Sequence, residues 1–306
     1  MLRAVNYALL LFPDFSLILC GYLLCRFTAL NRSVWDKVEA LVYYFLFPVL
    51  LFHSIVRSPL DLGAASGLIQ GGLLLGAAGV GLSYLLPHLP LLGPRIDRRD
   101  AAASAQVGFR FNSFIALALA ERLGGAEGLQ MIAVLIGICV PAFNIAAVWP
   151  MARHGGQGLL GSIVRNPLIV ATTAGLALNL LGGGVPGWLT PTFGRIGAAS
   201  LALGLMSAGA GMQFAAMHGG LKLAAAVLSI RHAVLPLVAL GLVRLLRLDP
   251  LQATVLMMFS ALPTASTCYV LAARMGYNGP YVAGLVTLST LLGVVSLPVA
   301  LSLVGL

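Results

Sequence analysis

Long apolar runs recur along the whole chain, separated by short breaks of charged, proline or glycine residues. A bilayer core about 30 Å thick is crossed by roughly 20 apolar residues in a helix rising ~1.5 Å per residue. Breaks at charges and at Pro or Gly divide the chain into ten runs of that length, at 6–27, 36–56, 63–86, 101–121, 128–151, 162–181, 194–216, 222–245, 251–273 and 279–304. The connections are short, and no polar domain is inserted between runs. The pattern predicts an all-α polytopic membrane protein with ten transmembrane helices.

Composition sharpens this. The 306 residues are 59% hydrophobic and 9% charged, against ~25% charged in soluble domains. A net charge of +9 raises the question of nucleic acid. The basic residues stand singly between apolar runs rather than in a patch, so they read as loops held on the cytoplasmic side. No nucleic-acid partner is expected. Odd-numbered loops carry ten Lys and Arg residues and the other side six, which places both termini on the non-cytoplasmic side. Cys20, Cys25, Cys139 and Cys268 form no C-x-x-C pair or zinc spacing, and they read as buried small apolar residues. The first run is longer than a signal-peptide core and is expected to remain in the protein.

The two halves are alike. "FPDFSLILCG" (12–21) resembles "NPLIVATTAG" (166–175), and "LAERLGG" (119–125) resembles "LAARMGY" (271–277), at offsets of 154 and 152 residues. Five runs per half is an odd number, so residues 154–306 must enter the membrane from the face opposite to residues 1–153. Such inverted repeats build many secondary transporters.

Polar residues inside the runs supply the candidate chemistry. In the fourth run, "RFNSF" places Arg110, Asn112 and Ser113 in an apolar stretch. Arg110 is about 15 Å of helix from either end of it. A guanidinium at that depth needs a wet cavity, a carboxylate or an anionic ligand. The ninth run holds "ALPTASTCYV" (261–270). Pro263 lacks an N–H and clashes with the carbonyl four residues back, at Phe259. Thr264, Ala265, Ser266 and Thr267 follow it, and the hydroxyls among them suit freed backbone groups or a ligand. Asn112 can play the same part in the fourth run. Interrupted helices at matching positions of two halves point to a midplane binding site. Asn144 is a further polar group at depth, with hydrogen bonding between helices as its default role. Asp14, the one carboxylate at this depth, is a candidate proton carrier; pairing with an Arg or capping a break at Pro13 is the alternative. Arg231 is a second coupling candidate, expected to face a cytoplasmic vestibule or to snorkel. The five histidines show no ligand spacing, and no Walker, H-E-x-x-H or G-x-S-x-G motif occurs. No metal, cofactor or enzymatic activity is expected.

"RFNSFIALAL" (110–119), "NPLIVATTAGLAL" (166–178), "LPTASTCYVLAARMGYN" (262–278) and "STLLGVVSLPVAL" (289–301) resemble the auxin efflux carrier family. That family includes the plant PIN-FORMED carriers and bacterial malonate-transporter-like proteins. The resemblance implies ten helices in two inverted five-helix repeats, related to the bile-acid–sodium symporter fold, with helices 4 and 9 broken and crossing near the substrate. It implies a scaffold of helices 1, 2, 6 and 7, through which a homodimer can form, and a transport core of helices 3–5 and 8–10. Asn112 and Pro263 take the crossover positions, with Ser113, Thr264 and Ala265 lining the site. The long cytoplasmic loop of some plant members is missing; only "RHGGQGLLGS" (153–162) stands there. The expected function is efflux-type secondary transport of a small organic anion by elevator-like alternating access, with proton coupling open. The alternative is a channel-like or ligand-sensing membrane protein.

Overall fold

The computed structural model describes residues 7–57, 62–90, 96–152, 167–212, 220–265 and 267–304, and all their regular structure is helical. In chain order the helices are α1 (Tyr7–Phe27), α2 (Arg32–Leu41), α3 (Phe47–Arg57), α4 (Leu62–Leu85), α5 (Arg98–Phe109), α6 (Ser113–Ala152) and α7 (Pro167–Leu180). They continue with α8 (Thr190–Ala210), α9 (Leu221–Ser229), α10 (Leu235–Leu245), α11 (Pro250–Ala261), α12 (Thr267–Arg274) and α13 (Gly279–Ser302). Five stretches among the described residues are long and apolar enough to cross a membrane: Ser66–His88, Arg98–Met151, Thr190–Ala210, Leu221–Leu245 and Gly279–Ser302. The chain is an all-α, multi-pass membrane protein.

Helix ends follow local chemistry. Asn31 caps α2 through its side chain, Asp97 caps α5, Asp249 caps α11 and Asn278 caps α13, each accepting from backbone N–H groups of the first turn. Pro191 and Pro250 fall in first turns, where the missing N–H costs no bond; α8 therefore begins at Thr190, earlier than the apolar run alone predicts. Single π-helical turns join α2 to α3 at Val42–Leu46 and α9 to α10 at Ile230–Val234. α6 changes direction at Gly125, whose φ of 58° and ψ of −145° lie outside what side chains with a Cβ readily adopt.

The chain separates into two compact units. The first comprises residues 1–66, 114–137 and 161–211. Here α1 packs on α8 at glycine: a Cβ on Gly21 would collide with the Met206 carbonyl, and one on Gly209 with the Ile18 carbonyl. α7 lies against α3, where Asn179 Nδ2 donates to the Ile55 carbonyl at 2.7 Å. Phe114 seats its ring 4.7 Å from Phe47. Arg32 holds Asp36 and Glu39 at 2.8 and 2.9 Å. On α1, Cys20 is exposed and Cys25 partly so, whereas Cys139 and Cys268 are buried. The expectation of burial fails for the first two because an outward face of a membrane helix tolerates apolar residues without protein cover.

The second unit comprises residues 67–113, 138–160 and 212–306. It contains α5, α11, α12 and α13, with Phe109, Phe111, Phe143 and Phe259 as an aromatic cluster; the Phe111 and Phe259 rings meet edge to face at 4.6 Å. Phe111 lies in the first of the two interrupted stretches described next.

Candidate functional site

The fourth and ninth apolar runs are each interrupted. α5 ends at Phe109, residues 110–112 are non-helical, and α6 starts at Ser113. α11 ends at Ala261, residues 262–265 are non-helical, and α12 starts at Thr267. Arg110 and Leu262, the residues that end α5 and α11, share a ψ of 141°. Breaking a buried helix frees carbonyls at one end and N–H groups at the other, and each must find a partner. The two breaks supply partners to each other. Asn112 N donates to the Pro263 carbonyl at 2.8 Å, and Thr264 Oγ1 donates to the Val107 carbonyl at 2.8 Å.

Arg231 completes the α11 end. Its Nε donates to the Leu262 carbonyl at 2.6 Å and its terminal nitrogen to the Phe259 carbonyl at 3.4 Å. Phe259 is the residue whose carbonyl loses its helical donor to Pro263. Arg231 is 2% exposed; it neither snorkels nor faces a vestibule. A cation at a helix C-terminus also meets the negative end of the helix dipole. A Cβ on Gly293 of α13 would lie 2.6 Å from Pro263 Cγ, so α13 closes directly over the proline.

Arg110 is half-buried. One terminal nitrogen donates to Gln106 Oε1 at 2.8 Å and lies 3.8 Å from Cys268 Sγ; the other donates to Thr267 Oγ1 at 2.9 Å. Gln106 Nε2 in turn donates to the Ala103 and Cys268 carbonyls at 3.0 and 3.1 Å. Among the described residues no ion pair involves Arg110. Its charge is solvated by neutral oxygens, and the half-helix starts at Ser113 and Thr267 belong to the same unit. Helix N-termini and a guanidinium together suit an anion.

The other sequence candidates are placed as follows. Asn112 is buried, Ser113 and Ala265 are half-buried at the breaks, and Thr264 is fully buried. Ser266 lies outside the described residues. Asn144 is half-buried in α6, next to Phe143 of the aromatic cluster. Asp14 falls within α1, but its side chain lies outside the described part of the structure. Gln106, Val107, His232 and Ser289 join the site without having been singled out for it. Only Gln106 carried a signal: it precedes Arg110 by four residues, the spacing of facing side chains on a helix.

Paired interrupted helices frame the solute site in many secondary transporters, and among the described residues the two interrupted stretches here bond to each other. Residues 116–301 match the model of the membrane transport protein family, and the chain belongs to that family. An uncharacterized transporter of Methanothermobacter thermautotrophicus is 24% identical over 286 residues, covering 92% of this chain and 93% of the relative. The protein is a membrane transporter, and the motif resemblance noted above holds at the level of this family.

Proposed function

We propose that the chain is a secondary carrier of a small organic anion, working by alternating access. The observation that carries this is Arg110: a guanidinium at the crossing, partnered by Gln106 and Thr267 and by no carboxylate among the described residues. A cation solvated by neutral dipoles keeps its attraction for a carboxylate, which an ion pair would have spent. Arg110 is the principal anion ligand, with Thr267, Ser113 and the N–H groups opening α12 as further donors. Asn112, Pro263, Thr264 and Ala265 shape the crossing, and Asn144 and Ser266 are candidate lining.

Further support for the inverted repeat comes from α5 and α11. Each has twelve residues, each follows an Asp cap, and they are offset by 152 residues, an offset also found between the sequence motifs. In this picture the halves are residues 1–153 and 154–306, and ten helices cross the membrane. The separation into two compact units supports a carrier in which the unit bearing the crossing moves as the transport core and the other serves as scaffold. The orientation with both termini outside rests on the loop charges, and a bacterial inner-membrane location on the family resemblance. A bile-acid-symporter-like fold, export as the direction, and a homodimer through the scaffold rest on the family resemblance. Asp14 is the proposed proton carrier; Arg231, engaged with two carbonyls, acts on coupling only through the shape of the crossing.

Thermal denaturation of the purified protein with a panel of small carboxylates tests the site. A ligand of the folded state stabilises it by about 2.7 kcal/mol at a hundredfold excess over Kd. At least one carboxylate is expected to raise Tm in the wild type and not in Arg110→Ala. Equal stabilisation of both proteins would remove Arg110 from the site, and stabilisation by no organic anion would count against the substrate class.

A further inference from the structure

Four side chains form one continuous hydrogen-bonded line into the crossing. His232, in the π turn after α9, has Nδ1 2.8 Å from Ser296 Oγ and Nε2 2.8 Å from Ser289 Oγ. Ser289 Oγ lies 3.0 Å from Thr264 Oγ1 and accepts from Thr264 N at 2.9 Å. Thr264 Oγ1 ends the line on the Val107 carbonyl at 2.8 Å.

Counting protons fixes every role. A carbonyl only accepts, so the Thr264 hydroxyl proton goes to Val107. Thr264 Oγ1 must then accept from Ser289, which uses the single proton of Ser289. Ser289 Oγ already accepts from Thr264 N, and its second lone pair faces Nε2, so Nε2 must carry a hydrogen. Ser296 Oγ has its own proton and sits 2.8 Å from Nδ1. With Nε2 protonated in a neutral ring, Nδ1 is bare and accepts that proton.

We propose that His232 is a positioning residue of the crossing, held as the Nε2–H tautomer, whose donated hydrogen bond orients Ser289 and Thr264 and so staples the α11 break to α5. Two consequences follow. The Thr264 hydroxyl spends its only proton on the Val107 carbonyl and has none to donate to an anion, so it is a staple and not a substrate ligand. The neighbours Arg231 and His232 also divide the work of one π turn: Arg231 supplies the carbonyls of Phe259 and Leu262, and His232 supplies α13 and, through it, Thr264. A fixed crossing keeps the α11 break joined to α5, which bears on transport if the carrier reading above holds.

The tautomer is read directly from the nitrogen chemical shifts of 15N-histidine protein in detergent or nanodiscs, with His232→Gln identifying the resonance. One protonated Nε2 and one bare Nδ1 are expected. A bare Nε2, or a mixture of tautomers, would overturn the proposal whatever the protein transports. Two variants then separate positioning from mere stability. His232→Gln can place an amide N–H at the Nε2 position and is expected to keep KM close to wild type. His232→Asn reaches only the Nδ1 position and is expected to raise KM about tenfold, the effect of one buried hydrogen bond. Equal KM in both variants would contradict positioning through Ser289. Absence of flux in the wild type would strike the carrier reading and leave the tautomer to decide this one.

Discussion

Arg110 and Arg231 are both cations inside an apolar protein, and their partners give them different work. Arg231 donates to two backbone carbonyls freed at the α11 break, and with 2% of its surface exposed it has almost nothing to offer a solute. Replacing it with Leu leaves both carbonyls without that donor, at a cost of ~1–3 kcal/mol each. A fall in Tm without ligand is the expected outcome for Arg231→Leu; an unchanged Tm would mean that water or another donor replaces the guanidinium. Arg110 leans on side-chain oxygens that can yield to a solute. Its depth was legible in the sequence, as was the four-residue spacing to Gln106. The partners of Arg231 were not, because a backbone carbonyl belongs to every residue type and leaves no mark in sequence. The same holds for Val107, which enters the site through its carbonyl alone.

The interrupted helices show how legibility varies between elements. The interruption after Ala261 could be located from Pro263, since a missing N–H and a ring clash are properties of one residue. The interruption at 110–112 contains no proline; Asn112 was the signal, through its competition for backbone partners. The π turns at Val42–Leu46 and Ile230–Val234 had no signature, because one extra residue in a turn changes no hydrophobic pattern enough to see. Glycine packing showed in the sequence as G-x-x-x-G pairs such as Gly67/Gly71 and Gly72/Gly76, a weak signal in a chain with 36 glycines. The structure separates those under constraint from those that are free. A Cβ on Gly209 collides with the Ile18 carbonyl, whereas one on Gly241 meets nothing within 4 Å. Gly209→Val is therefore expected to destabilise by at least about 1–3 kcal/mol through overpacking. Gly241→Ala is expected to be neutral or stabilising by about 0.5–1 kcal/mol through helix propensity. Melting curves of the two variants check both, and equal Tm values would contradict the packing of α1 on α8.

For the whole molecule, the offset of 152 residues was legible in "LAERLGG" and "LAARMGY" and recurs in α5 and α11. The division into units was less so. Residues 114–137 belong with the first unit, where Phe114 packs on Phe47 and against Gly204. Contacts this distant in sequence follow from the folded chain and not from any local pattern. On the carrier proposal, the solute binds in the unit that holds the crossing, and its transport must saturate and exchange. Counterflow tests that directly: purified protein in vesicles preloaded with an unlabelled carboxylate, and entry of the labelled anion followed with time. Saturable, trans-stimulated entry in the wild type, reduced at least about tenfold in Arg110→Ala by loss of a charge-assisted bond, is the expected result. Undiminished counterflow in Arg110→Ala, or non-saturating flux in the wild type, would contradict an anion carried at the crossing.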